Sequence, residues 1–340
     1  MNKLLTICIP TYNRKDVLIN EVRDYLSVND DRFCIKVSDN CSTDGTQEAL
    51  KEFQDDRLIV NFNTENLGSI PNWIVALSNN QSDYLIFTLD KDIIDISQLI
   101  WFLNFLEQEQ PCFGYVDLNI SKPKSVESFG PGYDNILKMA YLDKHPSGYF
   151  YRRDIFENAI KRDSFLKLDK KFDFPFEVIN AELAVEYPSV IIKGGLVINA
   201  NYRKELQGNK TRSYDESNIW FGAPRRFVEY GYYIYSVLNL QLPSRQNRKL
   251  AVRVTKMGIN NVTFALRSLM SNEPVCIHYN VKPRTVGIVE MYNNTIRILD
   301  IFKESAKGSL PSIFILLTVL KMKARFFALF ILSSFRRFFK

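Results

Sequence analysis

The chain has 340 residues, 46% of them hydrophobic and 24% charged, with a formal net charge of +6. That balance excludes a chain disordered throughout, and the length leaves room for two coupled halves or one large α/β domain with an appendix. The charge is concentrated: residues 305–340 hold seven basic residues and no acid, and removing those seven from +6 leaves residues 1–304 at about −1, which argues against a broad nucleic-acid face.

The chain passes from Met1-Asn-Lys into a strand-like Leu4-Leu-Thr-Ile-Cys-Ile9, too short for the apolar core of a signal peptide, so the N-terminal part is expected in the cytosol. This strand ends at Pro10-Thr-Tyr-Asn-Arg14, and a helix follows with Leu18, Val22, Tyr25 and Leu26 at helical spacing. A second strand, Phe33 to Ser38, ends at Asp39-Asn-Cys-Ser-Thr-Asp-Gly45, where Asp44, with Gln47 three residues on, can cap a helix carrying Leu50 and Phe53. A third, Leu58 to Phe62, leads to Asn63-Thr-Glu-Asn-Leu-Gly68, and Ser69 and Pro71 open the next helix. The fourth, Tyr84-Leu-Ile-Phe-Thr-Leu89, is nearly unbroken apolar sequence, as in a strand buried on both faces, and runs into Asp90-Lys-Asp92. On an extended chain Asp90 and Asp92 share one side.

Strand alternating with helix in this way predicts a doubly wound, mostly parallel α/β sheet, whose ligands sit at the C-terminal edge of the strands. Each strand delivers a polar cluster to that edge: Thr11, Tyr12 and Asn13, then Asp39, then Asn66 and Gly68, then Asp90 and Asp92. Paired carboxylates repel unless a cation or proton intervenes, and hard oxygen donors suit Mn²⁺ or Mg²⁺ with positions left for phosphate oxygens. That pattern points to a nucleoside diphosphate site. No GxGxxG follows the first strand and no GxxxxGK[ST] occurs, so neither dinucleotide binding nor a P-loop is supported. The five scattered cysteines (Cys8, Cys34, Cys41, Cys112, Cys276) and two histidines (His145, His278) form no zinc pattern and read as buried free thiols and isolated imidazoles.

Further along, a helix from about Ser97 to Glu109 precedes a strand at Phe113 to Leu118, and Ser121 to Gly132, with two Pro and two Gly, reads as a long loop near the site. Residues 145–160 read as strand then helix, with His145 better explained as a turn residue before Pro146 than as an acceptor contact. Pro175 can begin a helix with Glu177 in its first turn. Residues 203–226 carry Lys204, Lys210, Arg212, Arg225 and Arg226 with Trp220 and Phe221, and read equally as a phosphate clamp or a solvated loop. Residues 227–309 form a mostly helical region. In the tail, 310–340, the apolar runs Ile313 to Leu320 and Phe326 to Leu332 are interrupted by Lys321, Lys323 and Arg325, so an amphipathic helix lying in a membrane surface is expected rather than a span.

Taken together and in order, Ile9-Pro-Thr-Tyr-Asn-Arg14, Val37-Ser-Asp-Asn-Cys-Ser-Thr-Asp-Gly45, Asn66-Leu-Gly68 and Leu89-Asp-Lys-Asp92 resemble the GT-A-fold family 2 glycosyltransferases, closely over residues 3–110. The opening also resembles bacterial O-antigen and capsule sugar transferases, abequosyltransferases among them. The resemblance implies a GT-A sheet flanked by helices, with residues 1–110 binding a nucleotide-sugar and 111–226 the acceptor. It implies an inverting, metal-dependent transfer from a UDP, GDP, CDP or dTDP sugar to a lipid-linked saccharide, at the inner face of the cell membrane. By position, Thr11 and Tyr12 match contacts to nucleobase and ribose, Asp39 matches the carboxylate that takes a hydrogen bond from the base, Asp90 the ribose- and metal-proximal acid, and Asp92 the metal ligand. Pro10, Asn13, Arg14, Asn66, Gly68 and Asn72 complete the donor site. Relatives often carry a basic residue in the helix after Asn-x-Gly, whereas here that stretch is Ser69-Ile-Pro-Asn-Trp73 and Asn72 offers no charge, so diphosphate neutralisation is expected to rest on the metal or on an arginine from elsewhere. The family places its base at the start of a downstream helix, which favours Glu177, then Asp173, then Glu182. The rivals are a nucleotidyltransferase, which lacks its basic glycine-rich first turn here, and a silent GT-A module that scaffolds a polysaccharide assembly.

Overall fold

The structure, a computed structural model, describes residues 3–117, 124–142, 144–162, 165, 175–194, 196–199, 224–271 and 287–338. It divides into two compact units, residues 1–211 and 212–340.

In the first unit, β1 (Leu5–Thr11), β2 (Phe33–Asp39), β3 (Leu58–Phe62) and β4 (Tyr84–Phe87) run parallel, with β2 and β4 on either side of β1 and β3 outside β2. α1 (Lys15–Leu26), α2 (Thr46–Lys51) and α3 (Ser69–Leu77) are their crossovers. Every residue of β1, β2 and β4 is buried, as parallel strands covered on both faces require. Leu18, Val22 and Tyr25 of α1 join Leu5, Ile7, Ile9, Phe33, Ile35 and Val37 in one core cluster.

Two expectations change beyond Phe87. Thr88 N still donates to Cys8 O at 3.1 Å, but Asp92 N donates back to Leu89 O at 2.9 Å, closing a turn across residues 89–92. The chain is therefore not extended between Asp90 and Asp92, and Asp92 opens a new strand, β5 (Asp92–Ile94). Second, after α4 (Ile96–Glu109), the sheet becomes mixed. Its strands are β6 (Phe113–Val116), β7 (Ser125–Phe129), β8 (Tyr149–Arg152) and β9 (Ser189–Lys193), and the order across it is β3-β2-β1-β4-β8-β6-β9-β7. β8 runs antiparallel between β4 and β6, and β7 is an antiparallel edge strand inside the stretch expected as a loop. Pro123 and Pro131 bracket β7 without entering it, as an edge strand tolerates. β10 (Val197–Asn199) pairs antiparallel with β5 as a separate ribbon. α5 (Tyr133–Met139), α6 (Arg153–Ala159) and α7 (Pro175–Glu186) complete the described elements of this unit, and α7 begins at the expected proline.

The second unit is helical, as the sequence suggests: α8 (Pro224–Asn239), α9 (Ser244–Ser271), α10 (Ile288–Ala306) and α11 (Ser312–Phe338). Tyr233, Ile234, Val237, Leu250, Val254, Ile298, Leu299 and Phe302 are buried on these helices. α11 packs on α10 through Tyr292, whose ring centroid lies 5.7 Å from Phe326 and 5.3 Å from Phe327. Among the described residues no helix is long and apolar enough to cross a membrane.

Candidate active site

The loops leaving β1, β2 and β3 are tied together by side-chain amides. Asn72, in α3, is 3% exposed; its Oδ1 accepts from Ser38 Oγ (2.7 Å) and Asn63 Nδ2 (2.9 Å), and its Nδ2 donates to Ser38 O (3.0 Å). Asn40 donates to Asn66 Oδ1 (2.8 Å) and accepts from Leu67 N (2.9 Å) and Asn63 Nδ2 (3.2 Å). Asn66 Oδ1 in turn takes Gly68 N at 2.9 Å. Gly68 opens α3 at φ 87°, a left-handed value that only glycine reaches without strain. Asn13, itself left-handed at φ 51°, donates its N–H to Ser42 Oγ (2.8 Å) and accepts Thr43 N (2.8 Å). The expected capping box at Gln47 does not form: Asp44 instead accepts from Lys15 N and Thr46 N, at 2.9 and 3.1 Å. Gln47 Nε2 reaches Asp39 Oδ2 at 2.8 Å.

Asp39 lies at the centre of this weave and is fully buried. Its Oδ2 takes Ser42 N (3.1 Å) and Gln47, whereas Oδ1 has no hydrogen-bond partner among the described residues. A buried carboxylate oxygen without a donor is costly, and a ligand N–H would satisfy it. Tyr12 beside it is half-buried and Pro10 is buried within β1.

Asp90 is 7% exposed; its Oδ2 accepts from Thr11 Oγ1 at 3.0 Å and its Oδ1 lies 3.5 Å from Arg14 Nη1. Burial raises its pKa; the Arg14 charge, the Thr11 hydroxyl and Lys91 work against that rise, and the negative charge of Asp92 adds to it. Asp92 is fully buried, and its Oδ2 accepts from Ser147 Oγ and lies 3.5 Å from His145 Nδ1. Ser147 Oγ also accepts Leu89 N at 3.0 Å, so one hydroxyl bridges both ends of the 89–92 turn. His145 Nδ1 accepts Ser147 N at 3.3 Å, and burial together with the Lys91 charge lowers the imidazole pKa to about 4, leaving it neutral at pH 7. The expectation of a mere turn residue thus understates His145, which adjoins the carboxylate. Ser147 belongs to none of the sequence motifs. The signal that could have found it is His145-Pro-Ser-Gly148 before β8, because Gly148 has φ 100° and an added Cβ there would stand 2.6 Å from Val116 O.

Glu177 lies in the first turn of α7 but is only 2% exposed, and its Oε2 accepts Tyr141 N and, at 3.3 Å, Leu142 N. Tyr141 is buried with φ 55°, the third left-handed non-glycine in a site loop after Asn13 and Cys41. Glu177 therefore anchors the segment 140–148, which carries Lys144, His145 and Ser147. Lys144, also unforeseen, has its ammonium 4.4 Å from the centre of the Tyr115 ring, and burial lowers its pKa to about 8 against the opposing charges of Glu177 and Asp117. Glu182 faces away into an ion pair, its Oε2 3.5 Å from Arg162 Nη1. Asp173, Lys204, Lys210, Arg212, Trp220 and Phe221 lie outside the described residues, as do the side chains of Arg225 and Arg226.

Among the described residues no three His, Cys, Asp or Glu side chains cluster tightly enough to cage a metal by themselves. The donor chemistry still fits Mn²⁺ or Mg²⁺, since two acidic oxygen donors close enough to raise the Asp90 pKa suit a cation that takes its other ligands from water and phosphate.

Residues 6–158 match the family model described as Glycosyl transferase family 2. Abequosyltransferase RfbV of Salmonella typhimurium is 38% identical over 88 residues, which is 24% of this chain and 26% of that protein. The glycosyltransferase TuaG of Bacillus subtilis, named for teichuronic acid biosynthesis, is 32% identical over 91 residues, 26% of this chain and 36% of that protein. The chain thus matches about a quarter and about a third of those relatives' lengths. Among solved structures, TarS 1-349 of S. aureus superposes with a TM-score of 0.59 at 13% identity, over 98% of this chain and 91% of that one. The same protein in complex with UDP-GlcNAc gives 0.62 at 13% identity, over 98% and 92%. At that identity the likeness is one of fold.

Proposed function

Residues 6–158 are a glycosyl transferase family 2 domain on a GT-A fold, and from that premise we propose that the protein transfers a sugar from a nucleoside diphosphate donor to a lipid-linked saccharide, with inversion, in bacterial surface polysaccharide synthesis at the inner face of the membrane. The observation that carries the reading is the buried, unpartnered Asp39 Oδ1 at the sheet edge that also bears the Thr11–Asp90–Arg14 chain. An imide or amino N–H of a base bound over the β1 and β2 loops would satisfy that oxygen, and the Tyr12 ring would stack on the base.

In this reading Asp90 and Asp92 hold Mn²⁺ or Mg²⁺, which when bound supplies positive charge to the leaving diphosphate. Arg14 is a cation at that place and would serve where the helix after Asn66-Leu-Gly68 has no charge; Asn72 keeps its amide within the protein and fixes the loops instead. The acceptor hydroxyl attacks the anomeric carbon from the side opposite the diphosphate and gives its proton to a carboxylate. Glu177 is the first choice for that base and Asp173 the second. Here Glu177 is 2% exposed and two backbone N–H groups hold its Oε2, a closed position. That closed position also favours a second reading, a silent module with intact donor loops, and turnover of donor by the purified protein separates the two.

The test is thermal stabilisation by UDP, GDP, CDP and dTDP, each with and without Mn²⁺. One nucleotide should stabilise the fold strongly with the metal, by roughly 2.7 kcal/mol at a hundredfold excess over its dissociation constant. No stabilisation by any of the four would overturn the reading.

A further inference from the structure

α11 has two faces. Thr318, Val319, Met322 and Phe326 are buried, and the side that packs on Tyr292 of α10 is among them. On the other side Ile313 (62% exposed), Leu316 (52%), Leu317 (58%) and Leu320 (53%) stand in solvent, and Phe327 (46%) lies at the edge of that side, its ring also touching Tyr292. These positions recur three and four apart, so they form one stripe along the helix, continued by the exposed Ala324. Lys321 and Arg325, both exposed, run along one margin of the stripe, and Lys323 lies on the other. The described part of the helix carries no acidic residue.

We propose that this stripe inserts into a lipid monolayer, with Lys321, Lys323 and Arg325 paired to anionic headgroups. The inference deepens the membrane placement in the proposed function and rests on that reading only for which membrane is meant. Three features select a lipid surface as the occupant. The exposed apolar residues form a continuous strip along one side, which fits a flat hydrocarbon boundary at shallow depth. The basic residues flank the strip on both sides, where headgroups stand when a helix lies in the interface plane. A second copy of the same stripe would bring like charges together along both margins, which opposes pairing of two copies.

The experiment is co-sedimentation of the full chain with vesicles of pure phosphatidylcholine and with vesicles containing about one-third phosphatidylglycerol. The chain should pellet with the anionic vesicles and progressively less so as salt rises. Leu316→Glu with Leu320→Glu should abolish pelleting. Replacing Lys321, Lys323 and Arg325 by Gln should weaken binding to anionic vesicles on the order of a hundredfold, about fivefold per charge, and leave weak binding to neutral vesicles unchanged. All altered side chains but Lys323 are exposed, so circular dichroism and melting temperature should match the parent. Failure of the parent to bind anionic vesicles, or undiminished binding by the double glutamate variant, overturns the proposal. So does a parent dimer that the glutamates dissociate and that ignores vesicles, since the stripe is then a protein interface. Nucleotide stabilisation measured on the same samples keeps the readings apart: its loss in parent and variants alike sinks the donor assignment and leaves the lipid result standing.

Discussion

The loops that follow β1, β2 and β3 and the segment 140–148 that precedes β8 meet at the same edge of the sheet, and they are held there by different means. The first group is knit by short-range amides: Asn40, Asn63, Asn66 and Asn72 lie within 33 residues of one another and bond to each other and to the backbone. The second is clamped by acids from far along the chain, Asp92 on Ser147 at one end and Glu177 on Tyr141 and Leu142 at the other. A weave of neutral amides has many partly redundant members. Two buried carboxylates hold the segment beside a few backbone bonds at its Gly148 end, and each also belongs to the candidate chemistry.

This contrast can be broken from either side. The largest effect is expected at Glu177: Glu177→Gln should cut sugar transfer by roughly two to four powers of ten while nucleotide binding persists, as for loss of a general base. Normal transfer by Glu177→Gln together with its loss in Asp173→Asn would move the base and leave Glu177 as an anchor only. Next, Asp92→Asn should lower Mn²⁺-dependent nucleotide affinity on the order of a hundredfold, read by titration calorimetry, with the fold retained because the amide oxygen can still accept from Ser147. Unchanged Mn²⁺ dependence would remove Asp92 from the metal site. On the amide side, Asn72→Ala should cost about 3 kcal/mol in urea unfolding, since Ser38 and Asn63 lose their acceptor inside the protein. A cost below about 1 kcal/mol would show the weave to be more redundant than its hydrogen bonds suggest.

A smaller change sharpens the comparison. Ser147→Ala deletes the hydroxyl between Leu89 N and Asp92 and should cost about 1–2 kcal/mol, with a roughly tenfold weaker metal response. The smallest effect is expected away from both regions, at Lys36, which burial on β2 holds below the ordinary lysine value of 10.5. The folded chain binds this proton less tightly than the unfolded chain, so stability should rise as pH climbs toward 10.5 and fall again as pH drops through the lowered folded value. Lys36→Met should remove that alkaline rise and shift stability at pH 7 by about 1 kcal/mol or less. An alkaline rise that survives in Lys36→Met would assign it to another group.

The same contrast explains what could be read in advance. β1 to β3 and their polar ends are visible because apolar strands, turn residues and motif residues are contiguous in sequence. Even there, the partner of Gln47 and the inward use of Asn72 were hidden, because both depend on loops from other strands. Past Phe87 the residue types were recognisable and their arrangement was not. Asp90 and Asp92 read as neighbours on one extended strand, whereas a turn closes across residues 89–92 and Asp92 bonds to Ser147, fifty-five positions away. β7 escaped because an edge strand five residues long, half exposed and bracketed by prolines, has almost no periodic signal. Glu177 was located by its helix, but nothing local announced that its oxygen would be taken by Tyr141 and Leu142.

The β5–β10 ribbon bears on the time course of assembly. Asp92 pairs with Asn199, so the strand that begins at this carboxylate is completed only when a segment more than a hundred residues later arrives. The β1–β2 and β2–β3 pairings close over much shorter stretches of chain, Leu5 to Phe33 and Ile35 to Leu58. Because closing a long loop delays the contacts that depend on it, the loops after β1 and β2 should gain protection early in refolding and during synthesis, and the β5–β10 ribbon last. A nascent chain stalled before residue 197 would then hold the formed loops around Asp39 beside an unfinished strand at Asp92.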